Sequence, residues 1–127
     1  MLLKLTPTES RKMVKIWLDD ERDPKSNYIQ SQFGAEGDEV WVKTANIAIS
    51  LLQRGNVTSI SMDHDLGPAS AGTGLEVAEW IEEQAFHGNL PRLTWFVHSM
   101  NVVGNKNITR AMEKADEFWN AKINGNS

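Results

Sequence analysis

Val57-Thr58-Ser59-Ile60-Ser61-Met62-Asp63-His64-Asp65 is an apolar run of strand length that ends in two carboxylates and an imidazole, before the small, polar stretch Leu66 to Gly74. In an open parallel α/β sheet, ligands bind beyond the carboxyl ends of the strands. Two further runs end in the same manner: Ile16-Trp17-Leu18 leads into Asp19-Asp20-Glu21, and Trp95-Phe96-Val97 leads into His98-Ser99. Any one such ending suits a solvated loop. Three of them, delivering Asp, His and Ser to one rim, point to a reaction or metal site.

Working outward, Met13 to Leu18 reads as a buried first strand and Val40 to Lys43 as a short second one. Thr44 can cap a helix running to Arg54, with Ala45, Ala48, Leu51 and Leu52 on one face and Gly55 as its stop. Thr73-Gly74-Leu75-Glu76 reads as a capping box. The helix it opens turns Leu75, Ala78, Ile81 and Ala85 inward and stops at Gly88; His87 in its last turn suits the helix C-terminus. Thr94 to His98 is the next strand. Ile108, Ala111, Met112, Ala115, Phe118 and Trp119 follow the 3,4 spacing of a final amphipathic helix, with Gly104-Asn105-Lys106-Asn107 placed before it. Residues 23–39, anchored only by Tyr28, Ile29 and Phe33, fit either a weak helix or a long active-site loop. Strands alternating with helices give an α/β fold: a small doubly wound parallel sheet of about four strands. One domain spans 1–127, with 1–12 as an extension or an edge strand through Leu2 to Leu5, and a frayed tail at 123–127.

The chain has 127 residues, 40% hydrophobic and 24% charged, ordinary proportions for a globular domain. All five tryptophans fit apolar helix faces or strands, so core packing is expected of each. A net charge of −4 and a pI near 5.3 argue against a long nucleic-acid footprint, which needs a Lys/Arg stripe. If Asp19, Asp20, Glu21, Asp63 and Asp65 converge, a cation, a proton or a nearby base must relieve their repulsion. The absence of cysteine removes disulfide and thiolate chemistry. Met1-Leu2-Leu3-Lys4-Leu5 is too short for a signal segment and no apolar run reaches membrane-spanning length, so a cytoplasmic location is expected. No feature declares an oligomeric state.

Ile16-Trp17-Leu18-Asp19-Asp20-Glu21 resembles the first strand of response-regulator receiver domains, which ends in an acidic pair that holds Mg²⁺. Met62-Asp63-His64-Asp65-Leu66-Gly67-Pro68, followed by Gly74-Leu75-Glu76, resembles the strand and loop carrying the receiver phospho-acceptor aspartate. His98-Ser99-Met100 falls where receivers place a switch Thr or Ser. The likeness covers roughly residues 13–120. Receivers continue with a fifth strand ending in Lys-Pro, whereas this chain has only a helix after Ser99; Lys106 is not an obvious substitute for that lysine. Receivers also lack histidines at the positions of His64 and His98. With Asp-Asp-Glu-Arg-x-Pro (19–24), Asp-His-Asp-Leu-Gly (63–67) and His-Ser-Met-Asn (98–101), the chain resembles the receiver-like family of cyclic-phosphate-processing domains.

The resemblance implies a metal-assisted phosphoesterase acting on a small cyclic nucleotide, a cyclic oligonucleotide signal or an RNA end carrying a 2′,3′-cyclic phosphate. Asp19, Asp20 and Asp63 offer hard oxygen ligands for Mg²⁺ or Mn²⁺. His64 and His98, on neighbouring strands, are expected to face one pocket and carry protons, with Asp65 orienting His64. Ser99, Asn101, Arg22 and Lys106 are expected to hold the phosphate, helped by free backbone N–H groups before the last helix; plain turn and capping roles suit the Gly, Asn and Ser residues equally. Two alternatives stay open: a non-catalytic module that sequesters a cyclic nucleotide, and a degenerate receiver that accepts phosphate on Asp63.

Overall fold

The computed structural model describes residues 13–123, so the expectations for 1–12 and for the end of the tail lie outside the described residues. Four strands, β1 (Val14–Leu18), β2 (Val40–Val42), β3 (Val57–Met62) and β4 (Thr94–Val97), form one sheet in the order β2-β1-β3-β4, with every pair parallel. Helices α1 (Asn27–Phe33), α2 (Ala45–Leu52), α3 (Gly74–His87) and α4 (Val102–Ile123) alternate with them or follow them.

Alternation along β1 explains the two layers. Ile16 and Leu18 point into the larger core, where they meet Val42, Ile60 and Met62 of the sheet and the apolar faces of α2, α3 and α4. Trp17 points the other way, into a small cluster with Ile29 and Ala35, to which Phe33 and Trp41 add partly buried surface. The short α1 therefore covers one face of the sheet while three helices cover the other. Phe96, on the α1 face of the edge strand β4, stays 56% exposed.

Local chemistry sets the helix ends. Ser26 caps α1 and Gly34 closes it in the left-handed region at φ 81°, so the segment with few apolar anchors is a helix followed by a loop. Thr44 caps α2, and Thr73 and Glu76 form the expected capping box of α3. The last helix starts earlier than its apolar spacing implies. Asn101 accepts the Gly104 N–H on its side chain and the Asn105 N–H on its carbonyl, both at 2.8 Å, so residues 104–107 lie within α4. Its first residues, Val102 and Val103, are exposed and add nothing to the apolar stripe that begins at Ile108.

Gly74 joins the fold to the site. A Cβ there would lie 2.0 Å from the Asp63 carbonyl oxygen and 3.1 Å from Ile108 Cδ1, while the Gly74 N–H donates to the His64 carbonyl at 2.9 Å. The first residue of α3 thus rests on the backbone that carries Asp63. Gly74→Ala is expected to cost about 3 kcal/mol or more, because the obstructing atom is backbone and cannot swing aside. Denaturant unfolding of the variant measures it; an unchanged midpoint would refute the close packing. No helix among the described residues is long and apolar enough to cross a membrane.

Candidate functional site

The residues that follow β1, β3 and β4 continue the ladder beyond the strands. Asp19 N–H donates to Val42 at 3.0 Å, Asp63 N–H to Leu18 at 2.9 Å and His98 N–H to Met62 at 3.0 Å. Asp19, Asp63 and His98 consequently stand side by side, each two residues beyond Trp17, Ser61 and Phe96 and on the same face as they are. All three are buried.

Asp19 is saturated with donors. Its Oδ1 accepts the N–H groups of Glu21 (2.8 Å) and Arg22 (3.0 Å); its Oδ2 accepts from His98 Nε2 (2.9 Å) and from an Arg22 guanidinium nitrogen (3.1 Å). Burial alone would raise its pKa, but the hydrogen bond from His98 and those from the Arg22 and Glu21 amides and the Arg22 side chain outweigh it, bringing it down to about 2. Asp63 behaves oppositely. Burial, then the neighbouring Asp19 charge, pushes its pKa up, against the pull of Ser99, His98 and Arg22. The same Arg22 nitrogen reaches Asp63 Oδ2 at 3.5 Å. The guanidinium thus bridges the two carboxylates, and its central carbon lies 4.4 Å from the centroid of the Phe33 ring.

Asp20 completes an acidic trio: one oxygen from each of Asp19, Asp20 and Asp63 lies within 4.8 Å of the others. Gly67, at φ 93°, lets the loop after β3 approach Asp20, since a Cβ there would come within 3.1 Å of Asp20 Oδ2. Hard carboxylate oxygens at this spacing fit a Mg²⁺ or Mn²⁺ ion. Asp63 keeps a raised pKa, first from burial and then from the Asp19 charge, even with Arg22 beside it. The trio fits a divalent cation, which would compete with the guanidinium for the same oxygens.

The two histidines do not share a face, contrary to the sequence expectation, because successive residues of an extended chain point to opposite sides. His98 stacks on Trp17 with ring centroids 3.9 Å apart, and its Nδ1 meets Ser61 Oγ at 2.8 Å. Both of its nitrogens are therefore engaged, and its side chain is only 2% exposed. His64 instead packs over Gly104 of α4, where any Cβ would strike the ring at 2.4 Å. Its Nδ1 pairs with Asp65 Oδ1 at 2.9 Å, and Asn101 Nδ2 contacts the Asp65 carboxylate at 3.3 Å. The hydrogen bond from His64 lowers the Asp65 pKa.

A cleft of about 470 Å³ opens over this floor, lined by Asp20, Arg22, Asp63, Asp65, Ser99 and Met100 among others. Neither His64 nor His98 lines it. Ser99 is buried and accepts the Asn101 N–H at 3.0 Å. Asn101 serves chiefly as the cap of α4. Lys106 is exposed on the second turn of α4 and does not line the cleft; it was expected before the helix, and the early cap carries it away. Sequence reasoning assigned no site role to Trp17 and Trp41. Trp17 Nε1 donates to the Arg22 carbonyl at 2.9 Å and Trp41 Nε1 to the Asp19 carbonyl at 2.7 Å, so two core indoles brace the acidic loop. Ser61 was also missed, although its place two residues before Asp63 puts it on the same face.

A family model described as a cyclic-phosphate processing receiver domain matches residues 14–114. No curated protein and no solved structure matches the chain. The match covers most of the sequence, including all four strands and the whole acidic cleft, and the chain belongs to that family.

Proposed function

We propose, from that membership, that the acidic cleft hydrolyses a cyclic phosphate with the help of a divalent cation. The observation that carries the reading is the gathering of Asp19, Asp20 and Asp63 oxygens within 4.8 Å at one end of a parallel sheet. These three residues would hold Mg²⁺ or Mn²⁺, which when bound neutralises phosphate charge and favours attack by water. Arg22, freed in part from the carboxylates, turns its guanidinium toward a phosphate oxygen, and the Ser99 hydroxyl stands on the same wall. Water adds to phosphorus as the ring P–O bond breaks, giving a phosphomonoester and a free hydroxyl. One proton leaves the water and one reaches the departing oxygen. His64 is the group assigned to carry it, with Asp65 fixing its tautomer through the 2.9 Å contact. His98 holds Asp19 in place.

A specific observation favours a second reading, in which the cleft only binds a cyclic nucleotide. Neither histidine lines the cleft, and both nitrogens of His98 are occupied. Incubation of the purified protein with 2′,3′-cyclic nucleotides and cyclic-phosphate RNA ends, with Mg²⁺ or with EDTA, separates the readings. Ring opening that EDTA abolishes is expected. Tight binding without opening would establish sequestration, and an acid-labile phosphoryl label on Asp63 from a small phosphodonor would establish a receiver.

Arg22→Ala provides a test independent of turnover. Removing a positive charge that bridges Asp19 and Asp63 is expected to tighten Mg²⁺ binding about ten-fold, an effect of one charge pair at intermediate dielectric. Calorimetric titration measures it, and weaker binding in the variant would count against the trio as the metal site.

A further inference from the structure

A second cleft, of about 570 Å³, adjoins the acidic one, and the two share Glu21, Arg22 and Met100 in their walls. Its other wall is α1, which contributes Tyr28, Ile29 and Phe33. Tyr28 is 67% exposed and Met100 74% exposed. Singly, exposed apolar side chains need no explanation. Here an aromatic ring and a thioether line one cleft that opens beside the acidic one, and the Arg22 guanidinium, 4.4 Å from the Phe33 ring centroid, marks the junction. The rim carries the Glu21 and Asp23 carboxylates, both exposed.

We infer that this cleft is the base subsite of the ligand: a nucleobase stacks against Tyr28 and Met100 while its cyclic phosphate enters the acidic cleft past Arg22. The inference rests on the cyclic-phosphate reading and narrows it to a nucleotide. Apolar walls with a few polar groups at the rim suit a planar ring, and the volume lies within the range of small-ligand pockets. Stacking is tolerant of base identity, so the rim sets the preference. Carboxylates only accept hydrogen bonds when ionised, so Glu21 and Asp23 favour a base that presents adjacent N–H donors, guanine foremost. Uracil, whose N3–H is flanked by two carbonyls, meets them unfavourably.

The test compares guanosine 2′,3′-cyclic phosphate, uridine 2′,3′-cyclic phosphate and the baseless glycerol 1,2-cyclic phosphate. Binding is titrated at low temperature with Mg²⁺, and recovered ligand is checked for ring opening. The guanosine ligand is expected to bind wild type about ten-fold or more tightly than the glycerol ligand, with the uridine ligand between them. Tyr28→Ala and Met100→Ala, both at exposed positions that melts can confirm as folded, should bring the guanosine-to-glycerol ratio toward one. Equal affinities in wild type, or a ratio that survives both substitutions, overturn the base subsite and leave the cyclic-phosphate reading standing. Failure of all three ligands to bind overturns both.

Discussion

Replacing Asp63 by Asn is expected to stabilise the metal-free protein and to abolish turnover in the same molecule. Asp63 is buried beside Asp19, and burial and that neighbouring charge raise its pKa. A carboxyl whose folded pKa lies above its unfolded value of 3.8 stabilises the fold when protonated. That stability is fully present below 3.8 and is lost as pH rises through the raised value. At neutral pH the ionised Asp63 therefore opposes folding, and a neutral, nearly isosteric amide removes the opposition. A gain of about 1 kcal/mol is expected, a melting shift of several degrees for a domain of this size. Mg²⁺ should raise the melting temperature of wild type and leave that of the variant nearly unchanged. Changes to groups that merely support metal ligands cost about 10–100-fold, so loss of a ligand should exceed that in turnover. Melts in EDTA and in Mg²⁺, beside cyclic-phosphate hydrolysis, read all three effects. A variant that melts below wild type in EDTA would show that the Arg22 contact outweighs the repulsion.

Asp19 has the opposite linkage. Its pKa, lowered to about 2, contributes stability that is present above 3.8 and lost as pH falls toward 2. The two neighbouring carboxylates thus differ: hydrogen bonds hold one ionised, and burial and repulsion oppose ionisation of the other.

Much of this was legible in the residues. Apolar runs ending in Asp19, Asp63 and His98 revealed both the parallel sheet and the rim, because strand ends are the one place where a buried run and a charged loop must abut. The Thr73–Glu76 box and Gly88 marked the bounds of α3 for local reasons that need no tertiary context. Asn27 to Phe33 left helix and loop equally open, since a one-sided, two-turn helix offers too few apolar positions to show a period. The start of α4 was hidden because its first two residues, Val102 and Val103, face solvent and Gly104 adds no apolar side chain, so only the cap at Asn101 marks it. Arg22 was named as a phosphate ligand, but its bridge between Asp19 and Asp63 depends on a loop that folds back onto Asp19 Oδ1. Spacing carries no record of that turn. The separation of His64 from His98 was implicit in the two-residue period, which places His64 opposite Asp63.

That separation makes the two histidines experimentally distinct. His98→Ala is expected to act on stability: it strips a buried partner from Asp19 Oδ2 and Ser61 Oγ and removes the ring stacked on Trp17. Leaving a buried carboxylate short of a donor and opening a ring-sized gap should together cost about 3 kcal/mol or more. Turnover falls with it because Asp19 loses its hold. His64→Ala is expected to cost less, about 1 kcal/mol, since its partner Asp65 is exposed and only its packing on Gly104 is lost. If His64 carries the proton in ring opening, turnover drops about 10²–10⁴-fold while nucleotide affinity stays close to wild type. A rate for the His64 variant that is normal per folded molecule would remove it from the chemistry. A His98 variant that melts like wild type but has lost turnover would reverse the assignment, making His98 the proton carrier and His64 the packing residue. Each side chain is thus tied to a different observable, chiefly stability for one and rate at constant affinity for the other, because one ring is locked between two buried oxygens and the other pairs with the exposed Asp65 carboxylate.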